Sequence, residues 1–340
     1  MPHYNSFDSF QTKKSKEKKN KVKNKSCINM NKDFIIDSSE QYGIVIEVKY
    51  NDAYVLYNGE VLIAKLRKDL NTICNKVLFP GDKVVLESKN NCYMIKNLIK
   101  RKSILSRIKV DSTRKNSANV KNVAANIDLA IIVVSAKEPP LHAKFIDRYL
   151  LILQSSSIES IICLNKCELK SSNEEEILDI YRKIGIKVIE TSTYNNIGIE
   201  ELKSYLKGKQ AIFVGNSGVG KSSLTNAIMD LDNIKTGNIS QKSKRGCHTT
   251  TSSKYYVWNE NSSIIDTPGI RSLDVSSFDI DEIKEYFYEF KEYSEKCKYK
   301  DCLHFMEPVK TCAIKQAVEA GKISKNRYES YIRILSQFEK

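Results

Sequence analysis

The stretch Gly215-Asn216-Ser217-Gly218-Val219-Gly220-Lys221-Ser222-Ser223 fits the pattern GxxxxGK[ST]. It follows the apolar run AIFV directly and opens a helix-forming segment, SLTNAIM, the strand-to-helix context that a phosphate-binding loop requires. Gly215, Gly218 and Gly220 let the backbone wrap, so that successive N–H groups and the helix N-terminus behind them face a phosphate. At that site Lys221 is expected to reach the β and γ oxygens of a nucleoside triphosphate and Ser222 to ligate Mg²⁺. A glycine-rich turn with a purely structural role gives no reason for Lys221 and Ser222 to stand together.

Further on, Asp266-Thr267-Pro268-Gly269 ends the apolar run SSII. Asp266 is placed to hold Mg²⁺ through water, and the Gly269 N–H to sense a γ-phosphate. Between the two motifs lies a polar stretch containing Cys247-His248-Thr249-Thr250-Thr251, from which Thr250 is expected to close onto Mg²⁺ when the γ-phosphate is present. The residue after DTPG is Ile270, which cannot orient an attacking water, so His248 is the polar substitute. A plain loop histidine is the competing reading. Low intrinsic turnover, raised by a partner that orders these segments, is the consequence.

Asn165-Lys166-Cys167-Glu168 follows the run SIIC and reads as a base-specificity loop. A carboxylate at Glu168 can accept from guanine N1–H and its 2-amino group, a donor pair that adenine lacks. Asn165 and Lys166 would support the base and the phosphate loop, with Cys167 between them. Thr191-Ser192-Thr193, after KVIE, takes the position of a second and weaker base-contacting element, with Ser192 nearest the base. In an ordinary guanine-nucleotide switch the base reader follows the phosphate loop; here it precedes it. All these loops sit at C-terminal ends of strands, where α/β sheets bind ligands, so the site survives if the old termini are joined and the chain is opened elsewhere. The order is that of a circular permutation, and exposed loops tolerate such cuts.

A separate chemistry stands late in the chain. Cys297, Cys302, His304 and Cys312 lie within CKYKDCLHFMEPVKTC, three thiols and one imidazole that make a closed tetrahedral set for one structural Zn²⁺ with no open position. Removing the metal is expected to unfold this segment and to spare the sheet.

The elements that must position these groups can be read from the rhythm of the chain. Its 340 residues allow two or three domains. Residues 1–40 read as a basic disordered tail, with nine lysines against Asp8 and Glu17 up to residue 32. Residues 41–103 hold five short β-rich runs broken by Asn58-Gly59 and Pro80-Gly81-Asp82, which predicts a small β-barrel of the oligonucleotide-binding (OB) type, an SH3-like barrel being the alternative. The stretch IKRKSILSRIKVDSTRKN reads as a basic connector, either contacting phosphates or simply flexible. Residues 104–275 alternate apolar strand-like runs with helical stretches at 142–155, 173–184 and 199–207, the pattern of a parallel sheet with crossover helices. Residues 276–340 are helix-rich around the cysteine cluster.

A net charge of +14 points to a polyanionic partner, with a lysine-rich compositional bias as the bland reading. Nine cysteines, six of them scattered singly, suit a reducing cytoplasm better than a disulfide framework. The longest purely apolar run, Leu129 to Val134, is far short of the ~20 residues of a membrane span, and no apolar h-region follows the N-terminus. The expectation is a soluble cytoplasmic monomer without membrane association.

Taken together, the small barrel, NKxD-like NKCE ahead of GNSGVGKSS, GCHTTT, DTPG, and CKYKDCLH…C followed by AVEAGKIS resemble the circularly permuted GTPases of small ribosomal subunit biogenesis. The resemblance runs from about residue 41 to the end. It implies a multidomain α/β protein: an N-terminal OB-fold barrel, a central circularly permuted P-loop GTPase domain and a C-terminal helical zinc-binding domain. It further implies GTP/GDP, Mg²⁺ and one Zn²⁺ as ligands, and the immature 30S subunit and its rRNA as partners, with GTP hydrolysis stimulated by the subunit late in maturation. Glu168 stands where the family has Asp, and seven residues rather than five precede Cys312 after the histidine. Two other classes remain open on the residues alone: a P-loop ATPase, which the base-reading loop argues against, and an RNA-binding scaffold whose nucleotide does not turn over. Nucleotide competition and a turnover assay separate them.

Overall fold

The computed structural model describes residues 35–36, 41–49, 52–66, 78–89, 92–110, 118–229, 254–259, 261–266 and 278–338. His248, Thr250 and Gly269 lie outside the described residues.

The first domain is a closed barrel. Strands β2 (Gly43–Lys49), β3 (Asp52–Tyr57) and β4 (Glu60–Leu66) form a meander, β5 (Lys83–Lys89) returns to pair with β2, and β6 (Cys92–Ile99) bridges β5 and β4. Four of these five neighbour pairs are antiparallel and β4–β6 is parallel. The ring order 2-3-4-6-5 is the OB arrangement, filled by Val45, Val55, Leu66, Ile95 and Leu98. Asn58-Gly59, both at positive φ, make the β3–β4 turn, as that dipeptide favours. A two-residue strand β1 (Ile35–Ile36) pairs parallel to β6, so the end of the segment read as a disordered tail belongs to this sheet.

The connector is not a simple linker. Its second half forms β7 (Ile104–Val110), which pairs antiparallel with β8 (Ala118–Ala125), a strand that the sequence reading did not single out. Ile104 and Leu105, inside a lysine- and arginine-rich run, are the apolar signal the charge obscured.

The central sheet has the order β11-β10-β9-β12-β14-β13. Strands β9 (Leu129–Ser135), β10 (Glu159–Asn165), β11 (Val188–Glu190), β12 (Gln210–Val214) and β14 (Ser262–Asp266) are mutually parallel. The edge strand β13 (Lys254–Asn259) runs antiparallel to β14, because only two residues, Glu260 and Asn261, separate them and so short a link makes a hairpin. Every residue of β9 is buried, since helices cover both faces. Even positions such as Ile132, Ile162, Ile212 and Val214 face one layer, whereas Leu129, Ile131, Val133 and Phe213 face the other.

On the first face lie α1 (Ala143–Ser155) and α2 (Ser172–Lys183). α1 buries Ile146, Tyr149, Leu150 and Leu153, a stripe at helical spacing. α2 opens where the Glu174 carboxylate accepts the Ser171 N–H (2.8 Å) and ends on Arg182 and Lys183, matching the helix dipole at both ends. On the second face lie α3 (Ile199–Leu206) and α4 (Lys221–Met229). The C-terminal segment adds the short helices α5 (Ile280–Ile283) and α6 (Lys291–Ser294), then α7 (Ala313–Glu319) and α8 (Lys325–Leu335). Its Phe287, Phe290, Cys302, Cys312 and Tyr331 share one continuous apolar core with α1 and the sheet. A buried ion network pins this contact: Arg327 donates to Asp147 (2.6 Å) and Glu289 (2.7 Å), and the Tyr181 hydroxyl donates to Asp147 (2.7 Å).

The barrel meets the sheet at the Pro80-Gly81-Asp82 turn. Ala125 N–H donates to Pro80 O (3.0 Å), Asn126 Nδ2 to Gly81 O (2.9 Å), and Gln210 Nε2 to Ala125 O (2.7 Å). Gly81 has φ +92°, and a Cβ there would lie 2.2 Å from Ala125 O. Behind the turn, the buried Asp82 carboxylate accepts two N–H bonds from Arg101 (2.6 and 2.8 Å).

Candidate nucleotide and metal sites

The parallel strands deliver the predicted nucleotide residues to one edge of the sheet. Asn165 closes β10, Thr191 to Thr193 follow β11, Gly215 to Gly220 follow β12, and Asp266 ends β14 next to Phe213 of β12. The loop from β12 to α4 turns through positive φ at Gly215 (+147°), Gly218 (+85°) and Gly220 (+95°). A Cβ at Gly215 would sit 2.2 Å from Val133 O, and one at Gly220 would sit 2.1 Å from Asn165 Nδ2. Only glycine fits a loop pressed this closely to β9 and to the base-reading segment. Val219 is buried beneath the loop, while Ser217, Ser222 and Ser223 are exposed around its mouth. Lys221 Nζ donates to the carbonyls of Gly215 and Asn216 (both 2.8 Å), which holds the ammonium over the loop.

The base-reading loop is bonded to this cradle. Asn165 Nδ2 donates to Val219 O at 3.0 Å, so the side chain spans the two motifs across the gap between β10 and β12. Lys166 sits at φ +57°, and its ammonium donates to Glu138 O, which stretches its stem along the loop after β9. Cys167 N–H donates to Thr191 O (3.0 Å) and Thr191 N–H to Leu164 O (2.7 Å), tying the second base element to the first. Ser192 is buried, and its hydroxyl accepts the Asn195 N–H (3.0 Å). Glu168 lies in the single 3-10 turn Cys167–Leu169. Tyr149 of α1 packs beneath the cradle, where burial pushes its phenol up to about 12 against the favourable backbone of Gly215. No sequence signal marked Tyr149 beyond its place in the apolar stripe of α1.

The cradle fits a phosphate chain: Gly215, Gly218 and Gly220 turn the backbone through positive φ, the kind of loop that presents N–H groups to an anion, and the Lys221 ammonium is held over it. Ser222 at the start of α4 and Asp266 at the end of β14 supply hard oxygen donors of the kind Mg²⁺ takes.

The late cysteines converge as well. One ligand atom from each of Cys297, Cys302, His304 and Cys312 lies within 4.8 Å of all the others. His304 Nδ1 is 3.6 Å from Cys297 Sγ and 3.5 Å from Cys312 Sγ. Tetrahedral Zn–N and Zn–S bonds of about 2.0 and 2.3 Å put N and S about 3.5 Å apart, so the donor set fits that ion. Cys312 takes its place despite its longer spacing, because the 3-10 turn Val309–Thr311 takes up part of the longer link.

The loop between the cysteines is braced independently. Leu303 N–H (2.8 Å) and Phe305 N–H (2.9 Å) both donate to the Glu307 carboxylate, and Tyr328 OH donates to His304 O (2.7 Å). These braces hold His304 at φ +57°. Burial pushes its imidazole down to about 4, so it is neutral and free to ligate, and burial raises the Cys302 and Cys312 thiols, whose thiolates need a cation beside them.

A family model, RsgA GTPase, matches residues 98–276. The chain belongs to the RsgA GTPase family. It is therefore a GTP hydrolase built on a circularly permuted frame. A relative named small ribosomal subunit biogenesis GTPase RsgA, from Alkaliphilus metalliredigens, is 34% identical over 293 residues, 84% of this chain and 94% of the relative. Another of the same name, from Caldanaerobacter subterraneus subsp. tengcongensis, is 40% identical over 225 residues, 66% of this chain and 75% of the relative. The crystal structure of YjeQ from Thermotoga maritima superposes with a TM-score of 0.70 at 31% identity, covering 88% of this chain and 98% of that one. The RsgA frame accounts for the barrel, the permuted sheet and the cysteine segment in one chain.

Proposed function

We propose that this protein binds the immature small ribosomal subunit and its rRNA, assists late maturation of the subunit, and hydrolyses GTP to GDP and phosphate when the subunit stimulates it. The observation that carries the nucleotide part is the Asn165–Val219 hydrogen bond, which makes the base reader and the phosphate cradle one site. The ribosomal part rests on the names of the relatives and on the net charge of +14, since Lys and Arg displace phosphate counterions from RNA.

In this reading the N–H groups from Gly215 to Ser223 and the Lys221 ammonium hold the β- and γ-phosphates. Asn165, Lys166, Cys167, Glu168 and Ser192 hold guanine. Ser222 and Thr250, with Asp266 beside them, would hold Mg²⁺, which when bound would supply neutralisation of phosphate charge. Gly269 senses the γ-phosphate, and His248 orients a water. That water attacks the γ-phosphorus, the bond from phosphorus to the β–γ bridging oxygen breaks, and the water's proton leaves with phosphate or to solvent. One Zn²⁺ on Cys297, Cys302, His304 and Cys312 holds the C-terminal domain. The protein acts as a cytoplasmic monomer; among the described residues no helix is long and apolar enough to cross a membrane.

The test is co-sedimentation with purified small subunits in the presence of a non-hydrolysable GTP analogue, GDP, or no nucleotide. Retention with the analogue and release with GDP support the reading. Equal sedimentation in all three would refute a nucleotide-controlled cycle.

A further inference from the structure

Most metal-bound histidines are aimed by an acceptor on the ring nitrogen that faces away from the metal, which fixes both the tautomer and the ring orientation. His304 has no such partner. Its Nδ1 faces the sulfurs of Cys297 and Cys312, 3.6 and 3.5 Å away, so Nδ1 is the nitrogen available to an ion. Its Nε2 is buried and meets no protein acceptor among the described residues. Another device must set the ring, the more so because the His304 backbone is at φ +57°, a conformation that a non-glycine residue keeps only when its surroundings hold it there.

The backbone around His304 supplies that hold. The Glu307 carboxylate accepts the Leu303 N–H on Oε1 (2.8 Å) and the Phe305 N–H on Oε2 (2.9 Å), so one side chain spans the histidine with two charge-assisted bonds. The carbonyls of the same turn are bonded as well. Tyr331 OH donates to Leu303 O (2.5 Å), Tyr328 OH to His304 O (2.7 Å), and Lys315 Nζ to Phe305 O (2.7 Å) and Glu307 O (2.6 Å). The imidazole then meets Phe290 edge to face, with ring centroids 5.9 Å apart. Of these groups only the Glu307 carboxylate grips the turn both before and after His304. Because Leu303 directly follows Cys302, the same clamp also fixes the separation of two of the four sulfur and nitrogen donors.

We propose that Glu307 is a positioning residue of the metal site: by clamping the Leu303 and Phe305 N–H groups it aims the His304 imidazole, the task that an acceptor on the second ring nitrogen ordinarily performs. This rests on the reading of Cys297, Cys302, His304 and Cys312 as the zinc ligands. Glu307 is not itself a ligand, since both its oxygens are occupied by backbone N–H groups and the other four donors complete a tetrahedral set. A turn held in its ligating shape raises metal affinity, because binding then has little left to order.

The experiment uses the full-length protein, with zinc affinity measured by competition against a chromophoric chelator and donor geometry read from the absorption bands of the Co²⁺-substituted form. E307A is expected to weaken zinc binding by about 10- to 100-fold and to shift the Co²⁺ bands. E307Q keeps the size of the side chain and one acceptor but sets an amide NH₂ against a backbone N–H, so it weakens zinc binding less than E307A; it carries the test if E307A does not fold. M306A, in the same turn at a residue 79% exposed, leaves zinc affinity and the Co²⁺ bands unchanged. A brace of the fold alone would destabilise the zinc-loaded and metal-free forms equally and leave zinc affinity where it was. Wild-type zinc affinity in the Glu307 variants, with urea midpoints lowered in both forms, therefore overturns the proposal. The underlying site reading fails separately: in that case the unsubstituted protein holds no stoichiometric zinc, or C312S leaves zinc binding unaltered.

Discussion

Asn165 Nδ2 and Val219 O, 3.0 Å apart, join the two nucleotide-binding motifs across the sheet although 54 residues separate them in the chain. Both residues are buried, so the bond is shielded from water and loss of the amide leaves a carbonyl unpaired. Asn165→Ala should cost about 1–3 kcal/mol of stability for that orphaned group and lower GDP affinity by more than tenfold, since the cradle and the base loop lose their common strut. Calorimetry with GDP and urea unfolding measure the two effects. A variant with unchanged GDP affinity would separate the motifs.

Gly220→Ala is a sharper probe of the cradle. Its Cβ would lie 2.1 Å from Asn165 Nδ2 at φ +95°, so the loop must open or the amide must leave. GDP binding is expected to fall below detection while far-ultraviolet circular dichroism stays native, because the change is confined to the loop.

Arg327 is the joint between the C-terminal helices and the sheet. It lies 2.6 Å from Asp147 and 2.7 Å from Glu289, with 4% of its side chain exposed. Arg327→Met leaves two carboxylates in a place built for a cation, and the expected loss is about 3–5 kcal/mol by urea unfolding. Arg327→Lys should recover only part of it, because one ammonium does not match a guanidinium fork that serves two acids.

Metal removal should be felt beyond the cysteine segment. Cys302, Cys312, Phe287 and Tyr331 lie in the same core as α1, so chelator-treated protein should unfold in one shifted transition and not as an unchanged sheet with a melted tail. The metal-free form should also be acid-sensitive. Burial lowers the His304 imidazole from 6.5 to about 4; the unfolded chain then binds a proton in that window that the folded chain refuses. Stability is therefore full above pH 6.5 and falls as the pH drops towards 4. Comparing urea midpoints at pH 5 and pH 7, with and without chelator, measures both effects.

Much of the site was legible because its groups are local. GNSGVGKSS carries its turn, its cation and its helix start in nine consecutive residues, and NKCE needs only the strand before it. The cysteine set was legible from ligand type, and the 3-10 turn at Val309–Thr311 takes up part of the longer link before Cys312. Non-local features were not legible. The β7–β8 hairpin was hidden because charge dominated a run whose few apolar residues meet a partner across a loop. The Asp147–Arg327 pair joins residues 180 apart, and its only sequence trace is an acid on the face of α1 that otherwise carries apolar residues.

The most direct test of the whole account is GTP hydrolysis by the purified protein, alone and with purified small ribosomal subunits, with ATP and the Lys221→Ala variant as controls. Slow turnover alone, strong stimulation by subunits restricted to GTP, and no stimulated turnover in Lys221→Ala are the expected results. Turnover that subunits leave unchanged, or ATP hydrolysed as fast as GTP, would contradict it.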